Sequence, residues 1–366
     1  MNFNYLIELL KMQNKIRLIA SYLPQFYPTK ENNEWWGAGF TEWTNVGKAE
    51  KLFKDHYQPR IPADLGYYDL RLVETRVEQA KMAQEYGIEG FCYWHYWFGN
   101  GKRILDRVFD EVLKTGSPDF PFCLGWANET WSGVWHGAKN KILLEQTYPG
   151  KSDYKMHFEE MLPAFQDSRY IRVDGKPLFM IYKPELIPDA TEFISYWREL
   201  AAEAGLGDFY FVGQTIEIEK KSLILEMGFD AVNVVRLYDY RRKEVNILTK
   251  GYSKLFGALN VYDYEIASRF FSGEEDRDLD CIPTIIPNWD HSPRSGKRAY
   301  ILHNSTPELF REHVREVFET IKEKPAEYRI AFIKSWNEWG EGNHLEPDLK
   351  FGKEYLKVLK NECDKV

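Results

Sequence analysis

The sequence lacks the residues on which several common chemistries depend. Its four cysteines, Cys92, Cys123, Cys281 and Cys363, contain no CxxC pair, and three of them lie inside apolar runs. That argues against a disulfide framework or a thiolate zinc site and leaves reduced, buried thiols. The eight histidines show neither HxH nor HxxxH spacing, and the acids do not form a calcium loop, so no metal set is assigned. There is no GxSxG elbow. No glycine-rich loop follows an apolar run to cradle a phosphate, and "FGNGKR" at 98–103 is too weak a match. No cofactor is implied.

Basic stripes and long apolar runs are missing too. The formal charge is −8 and the densest basic run is "YRRKE" at 240–244, which argues against nucleic acid as a partner. The first apolar stretch is broken by Glu8 and Lys11, and no run reaches the ~20 residues of a membrane span. The expectation is a cytoplasmic protein without membrane insertion, with residues 1–14 as an extension ahead of the patterned sequence.

Aromatic residues, by contrast, are abundant. Phe, Trp and Tyr make up 16% of the chain, with 12 Trp, and they cluster beside polar residues in "EWW", "CYWHYWF", "GWANETW" and "SWNEWGE". Such clusters suit a ligand with apolar faces and hydroxyl edges.

Eight short apolar runs, at 16–23, 88–97, 121–127, 177–183, 209–215, 230–235, 282–289 and 329–336, read as strands. Each is continuous rather than alternating in apolarity, as expected of strands covered on both faces. Amphipathic segments at 70–87, 103–116, 190–205 and 305–324 lie between them. The last opens on Ser305 or Thr306 as cap with Pro307 in the first turn. This alternation predicts an α/β fold, a single (β/α)8 TIM barrel over residues 15–366. A doubly wound sheet is the alternative, but its phosphate loop is missing. The long connections at 24–69 and 236–280 follow the first and sixth strands, on the face where such barrels carry their sites.

Polar and aromatic residues gather at the predicted C-terminal strand ends. The candidate ligand contacts are Tyr22, Gln25, Trp94, His95, Tyr96, Trp126, Asn128, Glu129, Tyr182, Gln214, Trp289, Asp290, Trp336 and Asn337. His95, Asp290 and His291 read equally well as packed structural groups. Glu42 is a weaker candidate, in a loop that also carries Trp35 and Trp36. "KSWNEWGEGNHLEPD" at 334–348 places Glu338 and Glu341 three residues apart, with Gly340 and Gly342 to turn the backbone and Trp336 and Trp339 to shape a sugar subsite. Two carboxyl groups aimed into one cavity are the equipment for glycosidic-bond chemistry. Glu129 with Glu338 is a competing pair. An arginine on Glu341 would count against the two-glutamate mechanism, leave Glu129 with Glu338 as the pair to test and favour a transferase.

The chain resembles the WbsX-type proteins, a family related to glycoside hydrolase family 99. The resemblance runs from about Arg17 to Asp348 through "SYLPQFYPTKENNEWWGAGFTEWTNV", "HYQPRIPADLGYYDLR", "YGIEGFCYWHYWF", "PFCLGWANETW", "KPLFMIYKP" and "KSWNEWGEGNHLEPD". It implies a (β/α)8 barrel and a retaining hydrolase of α-linked manno- or rhamno-configured glycans. It further implies Glu338 as the base that takes the proton of the sugar's own 2-hydroxyl, a 1,2-anhydro sugar intermediate, and Glu341 as the acid. The partner implied is an oligo- or polysaccharide. Two alternatives stand beside it: a glycosyltransferase or transglycosylase of O-antigen or capsule assembly, and a non-catalytic carbohydrate-binding barrel.

Overall fold

The eight apolar runs form the staves of one closed parallel sheet. The computed structural model describes residues 15–132, 142–245 and 259–365, so the predicted extension 1–14 lies outside the described residues. The barrel strands are β1 (Arg17–Tyr22), β2 (Gly90–His95), β3 (Phe122–Trp126), β4 (Lys176–Ile181), β5 (Tyr210–Thr215), β6 (Ala231–Val234), β7 (Cys281–Ile285) and β8 (Ile330–Ile333). Every sequential pair is parallel, and β8 closes on β1 with Arg17 opposite Ile330. The chain is a (β/α)8 TIM barrel, as the run pattern predicts. The two-residue strand Arg172–Val173 adds an antiparallel edge to β4.

Strand interiors are buried nearly throughout, which is why their sequences show no alternation. The observed strands are shorter than the apolar runs. The seventh run, read as 282–289, leaves the sheet at Ile285, and Trp289 and Asp290 belong to the loop beyond it.

The outer layer consists of α1 (Val73–Glu85), α2 (Arg107–Thr115), α3 (Lys151–Gln166), α4 (Ala190–Glu203), the short α5 (Lys221–Glu226) and α6 (Tyr264–Ser268), α7 (Pro307–Ile321) and α8 (Glu354–Cys363). Thr306 caps α7 by accepting from Leu309 N at 3.3 Å, and Pro307 occupies the first turn. Ser305, the other cap candidate, donates instead to Pro287 O at 2.7 Å. Cys92, Cys123 and Cys281 are buried free thiols. Among the described residues, no helix is long and apolar enough to cross a membrane.

The two long connections fold back over the C-terminal mouth. The first carries the helices Lys30–Trp36 and Glu42–Gly47. The second builds a smaller apolar cluster around Leu237, Tyr264, Phe271, Ile286 and Trp289, separate from the barrel core.

Two asparagines tie neighbouring strand ends together. Asn337, after β8, accepts from Leu23 N at 2.8 Å and donates to Leu23 O at 3.1 Å. Asn128, after β3, makes the same double contact with Lys183, 2.8 Å in each direction. Each amide completes a rung just beyond the point where the strand pairing ends. Removing the Asn337 amide would leave both backbone groups of buried Leu23 without these partners. Asn337→Ala is therefore expected to lower stability by roughly 2–4 kcal/mol, read by urea denaturation. A loss below about 0.5 kcal/mol would show that the clamp contributes nothing.

Candidate active site

All eight strands deliver residues to one cavity of about 550 Å³ at the barrel mouth. Of the residues singled out from the sequence, Gln25, Trp94, Tyr96, Glu129, Tyr182, Gln214, Trp289, Glu338 and Glu341 line it. Glu42, Trp36 and His291 join them from the loops.

The remaining candidates lie elsewhere, and strand parity explains two of them. Successive side chains on a strand point to opposite faces, so Trp94 faces the cavity while His95 faces the helices. His95 Nε2 meets His157 Nε2 of α3 at 2.8 Å, and burial keeps both rings neutral by holding their pKa values well below the usual imidazole range. Trp126 also faces outward: its indole N–H donates to Trp97 O at 2.9 Å and its ring packs on His157 and Phe193. Tyr22 donates to Gln79 of α1 at 2.7 Å. Asn128 and Asn337 are the backbone clamps described above.

Nor do the two tryptophans of the last motif shape a sugar subsite. Trp336 is buried against Phe91. Trp339 stacks on His344 at 3.7 Å and donates to Glu346 at 2.6 Å. The indoles at the cavity are Trp36, Trp94, Trp131 and Trp289. Asp290 is a support for the Glu341 loop: its backbone N–H donates to Glu341 O at 2.6 Å. Its carboxylate accepts from His56 at 2.8 Å, Gln58 at 2.7 Å and Ser292 N at 3.0 Å. Burial works against that charge, but these donors and the nearby Arg60 hold Asp290 below the ordinary carboxylate range.

The centre of the site is an arginine that no sequence motif marks. Arg294, in the short helix Ser292–Ser295 after β7, gathers three glutamates. Its Nη2 lies 2.5 Å from Glu338 Oε1 and 3.0 Å from Glu42 Oε2, and its Nη1 lies 2.9 Å from Glu341 Oε1. Its Nε donates to Glu42 Oε2 at 3.1 Å. Glu341 thus meets an arginine, the arrangement that the sequence reading set against a catalytic role. The arginine is nevertheless shared with Glu338 and lies within the cavity wall. Gripping one guanidinium from two of its nitrogens brings the two carboxyl groups together at one point of the cavity wall.

The local chain is shaped for this cluster. Glu42 opens a helix capped by Thr41, which accepts from Trp43 N at 3.2 Å. Gly340 is needed for close approach: a Cβ there would come within 2.3 Å of Glu42 Oε2 and 3.0 Å of Arg294 Nε. Gly342 takes φ +58, and a Cβ there would meet Asp290 Cβ at 2.8 Å.

Three carboxylates around one guanidinium leave negative charge in a buried place. Burial, reinforced by Glu341 and Glu42 and only partly opposed by Arg294, pushes Glu338 up to about 8. The shift favours one proton held within the cluster at neutral pH. Glu129, the rival partner, is ion-paired with Lys183. Glu346 lies beneath the loop with three neutral donors, Tyr68, Gln79 and Trp339, and burial pushes it up to about 7.

Comparison with known proteins follows the same lines. Two curated relatives, both named "Uncharacterized protein WxcX" and from Xanthomonas campestris pv. campestris strains B100 and ATCC 33913, are each 35% identical over 348 residues. The match takes in 93% of this chain and 48% of each relative, so the chain spans about half the length of the curated relatives it matches. Among solved structures, a "Glycoside hydrolase-like protein" superposes with a TM-score of 0.62 at 17% identity, covering 96% of this chain and 94% of the other. The GH99 endo-alpha-mannosidase of Bacteroides thetaiotaomicron superposes with a TM-score of 0.54 at 16% identity, covering 95% and 97%. These likenesses establish the fold. The match of residues 18–359 to the family described as Glycosyltransferase WbsX establishes the lineage, and the chain belongs to that family.

Proposed function

We propose that this chain is a glycan-active enzyme that cleaves α-linked manno- or rhamno-configured glycosidic bonds with retention, using Glu338 and Glu341. The observation that carries the reading is the convergence of these two carboxyl groups on one guanidinium in the wall of an aromatic-lined cavity. Trp94, Tyr182 and Trp289 offer ring faces for a sugar, and Gln25 and Gln214 offer amides for its hydroxyls.

In the proposed reaction the pair's one proton lies on Glu341 when substrate is bound, and the ionised Glu338 takes the proton of the sugar's 2-hydroxyl. That oxygen attacks C1 from the face opposite the leaving group, the C1–O bond breaks, and Glu341 gives its proton to the departing oxygen. Water then opens the 1,2-anhydro ring at C1. Glu341 takes the water's proton, and Glu338 returns its own to the 2-oxygen. Two inversions give net retention. The geometry needs a 2-hydroxyl trans to the leaving group, as in α-mannosides and α-rhamnosides. A carboxylate raised to about 8 is better matched to a hydroxyl proton than an ordinary one.

Two observations favour other readings. The ion pairs of Glu338 and Glu341 with Arg294 would suit a non-catalytic sugar-binding barrel. The family description favours a transferase. The Asp-x-Asp spacings over Asp276, Asp278 and Asp280 do not strengthen the transferase reading. Asp276 is buried on Arg236 at 3.0 Å, Asp278 and Asp280 pair with Lys221, and none of the three lines the cavity.

Glu338→Gln and Glu341→Gln are each expected to lower kcat by ~10²–10⁴ on an α-mannoside or α-rhamnoside panel. Thermal unfolding would confirm that both variants are folded. Activity within tenfold of wild type in both would remove the pair from the mechanism, and Glu129→Gln would then be the decisive variant. The reaction needs one proton on the pair, on Glu341 while Glu338 is ionised, so kcat/KM should be level through neutral pH and fall as that proton is lost above about 8. A rate that climbs steadily from pH 6 to 9 would show that the fully ionised pair is the active form and that neither glutamate serves as acid. Arg294→Gln leaves buried Glu42 and Glu338 and part-buried Glu341 without their cation, so a stability loss of roughly 3–5 kcal/mol and loss of turnover are expected. Wild-type melting and activity in that variant would show that Arg294 organises nothing.

A further inference from the structure

The cavity is polarised. At the end built by the β8 loop, Arg294 is outnumbered by Glu42, Glu338 and Glu341. The wall formed after β6 and β7 carries Arg241 and Arg298, flanked by Tyr238 and Tyr300. Among the described residues neither arginine has an ion-pair partner, and buried Arg241 Nε has no hydrogen-bond partner. Lys334 also lines the cavity, 5.5 Å from the Trp289 ring centroid, and its charge reaches Glu338.

The two ends adjoin. Tyr238 lies close enough to both Glu341 and Arg241 to feel both charges, and its ring packs on Tyr300 at 5.0 Å and Trp289 at 6.4 Å. On a chain of net charge −8, half-buried Arg241 and exposed Arg298, which have no ion-pair partner among the described residues, are an attractor for anions at this cavity in a molecule that otherwise repels them.

We infer that the arginine wall is a subsite for an acidic sugar, and that the glycan carries a carboxylate on a residue next to the one held at Glu338 and Glu341. The inference rests on the proposed reading of that pair. The guanidinium fork fits a planar carboxylate in two-point contact, and Tyr238, Tyr300 and Trp289 offer faces for the ring that bears it. A diphosphate is the less suitable occupant, because the sequence offers no glycine-rich phosphate loop beside these residues.

The test is calorimetric binding of α-mannosyl-glucuronate and of its carboxyl-reduced counterpart, α-mannosyl-glucose, to the wild-type chain. The acidic form should bind at least tenfold more tightly, and added salt should erode that preference. In Arg241→Gln/Arg298→Gln the preference should fall below twofold, with binding of the neutral probe unchanged. Equal binding of the two probes, binding of neither, or a preference that survives the double substitution would overturn the proposal. So would tighter binding of UDP or GDP that competes with the acidic probe, because the wall would then be a nucleotide site. The wild-type comparison stands even if the double variant fails to fold. If the binding preference holds but neither probe is hydrolysed, it is the hydrolase reading that fails.

Discussion

The part-buried guanidinium of Arg294 is the constraint on which the mouth of this barrel depends. Three chain segments far apart in sequence build its ion cluster: the first long connection supplies Glu42, the loop after β7 the arginine itself, and the loop after β8 both Glu338 and Glu341. Such a cation needs an anionic partner, but one carboxylate would suffice to neutralise it. The second and third make the cluster net negative, which stability alone does not require. That excess raises the proton affinity of Glu338, and one carboxyl group holding a proton beside another that is ionised is the condition for acid–base work at neutral pH. Gly340 follows from the same constraint, because a side chain at that position would occupy the space of the Glu42 carboxylate and the guanidinium.

Around this centre the fold separates two tasks along each strand. The outward-facing residues at the strand ends, such as Tyr22, His95 and Trp126, bind α1 or α3 by hydrogen bonds and ring packing. Their inward-facing neighbours are free to meet a ligand. The asparagine clamps after β3 and β8 hold the backbone where the ladder stops, so Glu129 and Glu338, one residue further on in each case, begin their loops from fixed points. An equivalent Asn-Glu pair thus occurs twice, with different electrostatics. Lys183 neutralises Glu129, while Glu338 competes with two other acids for one arginine.

Much of this was legible in the sequence because it is written locally. Continuous apolar runs mark strands covered on both faces, and Thr306 with Pro307 marks a helix start. Glu338 and Glu341 are visible as a pair because three residues separate them. The same continuity hid the facing of the side chains. Where a strand is apolar on both sides no alternation remains to tell inward from outward, so His95 and Trp126 were grouped with Trp94. Loop geometry decides the indoles: Trp336 and Trp339 fill space beneath the loop, while Trp36 and Trp131 reach the cavity. Arg294 was illegible for a different reason. "SPRSGKR" reads as an exposed turn, and its partner Glu42 lies 252 residues away. The available clue was a charge imbalance, since three acids assigned to one pocket need a cation from somewhere.

The family description and the fold likeness need not compete. In the proposed chemistry the bond broken and the intermediate formed are the same whether water or a sugar hydroxyl opens the 1,2-anhydro ring. Glu341 serves either acceptor as base, so the outcome depends on what occupies the space on the leaving-group side. The polarity of the cavity bears on that choice. An anionic residue held on the arginine wall would remain bound while the leaving group departs only if it belongs to the portion of the glycan that stays behind. If it belongs to the departing portion, the wall would hold that portion in place and favour its return. Retention of an acidic leaving fragment would bias such a site toward transfer, and retention of an acidic residue on the glycosyl side would leave the acceptor position to water. The position of the carboxylate relative to the cleaved bond therefore separates the two activities on one and the same pair of glutamates.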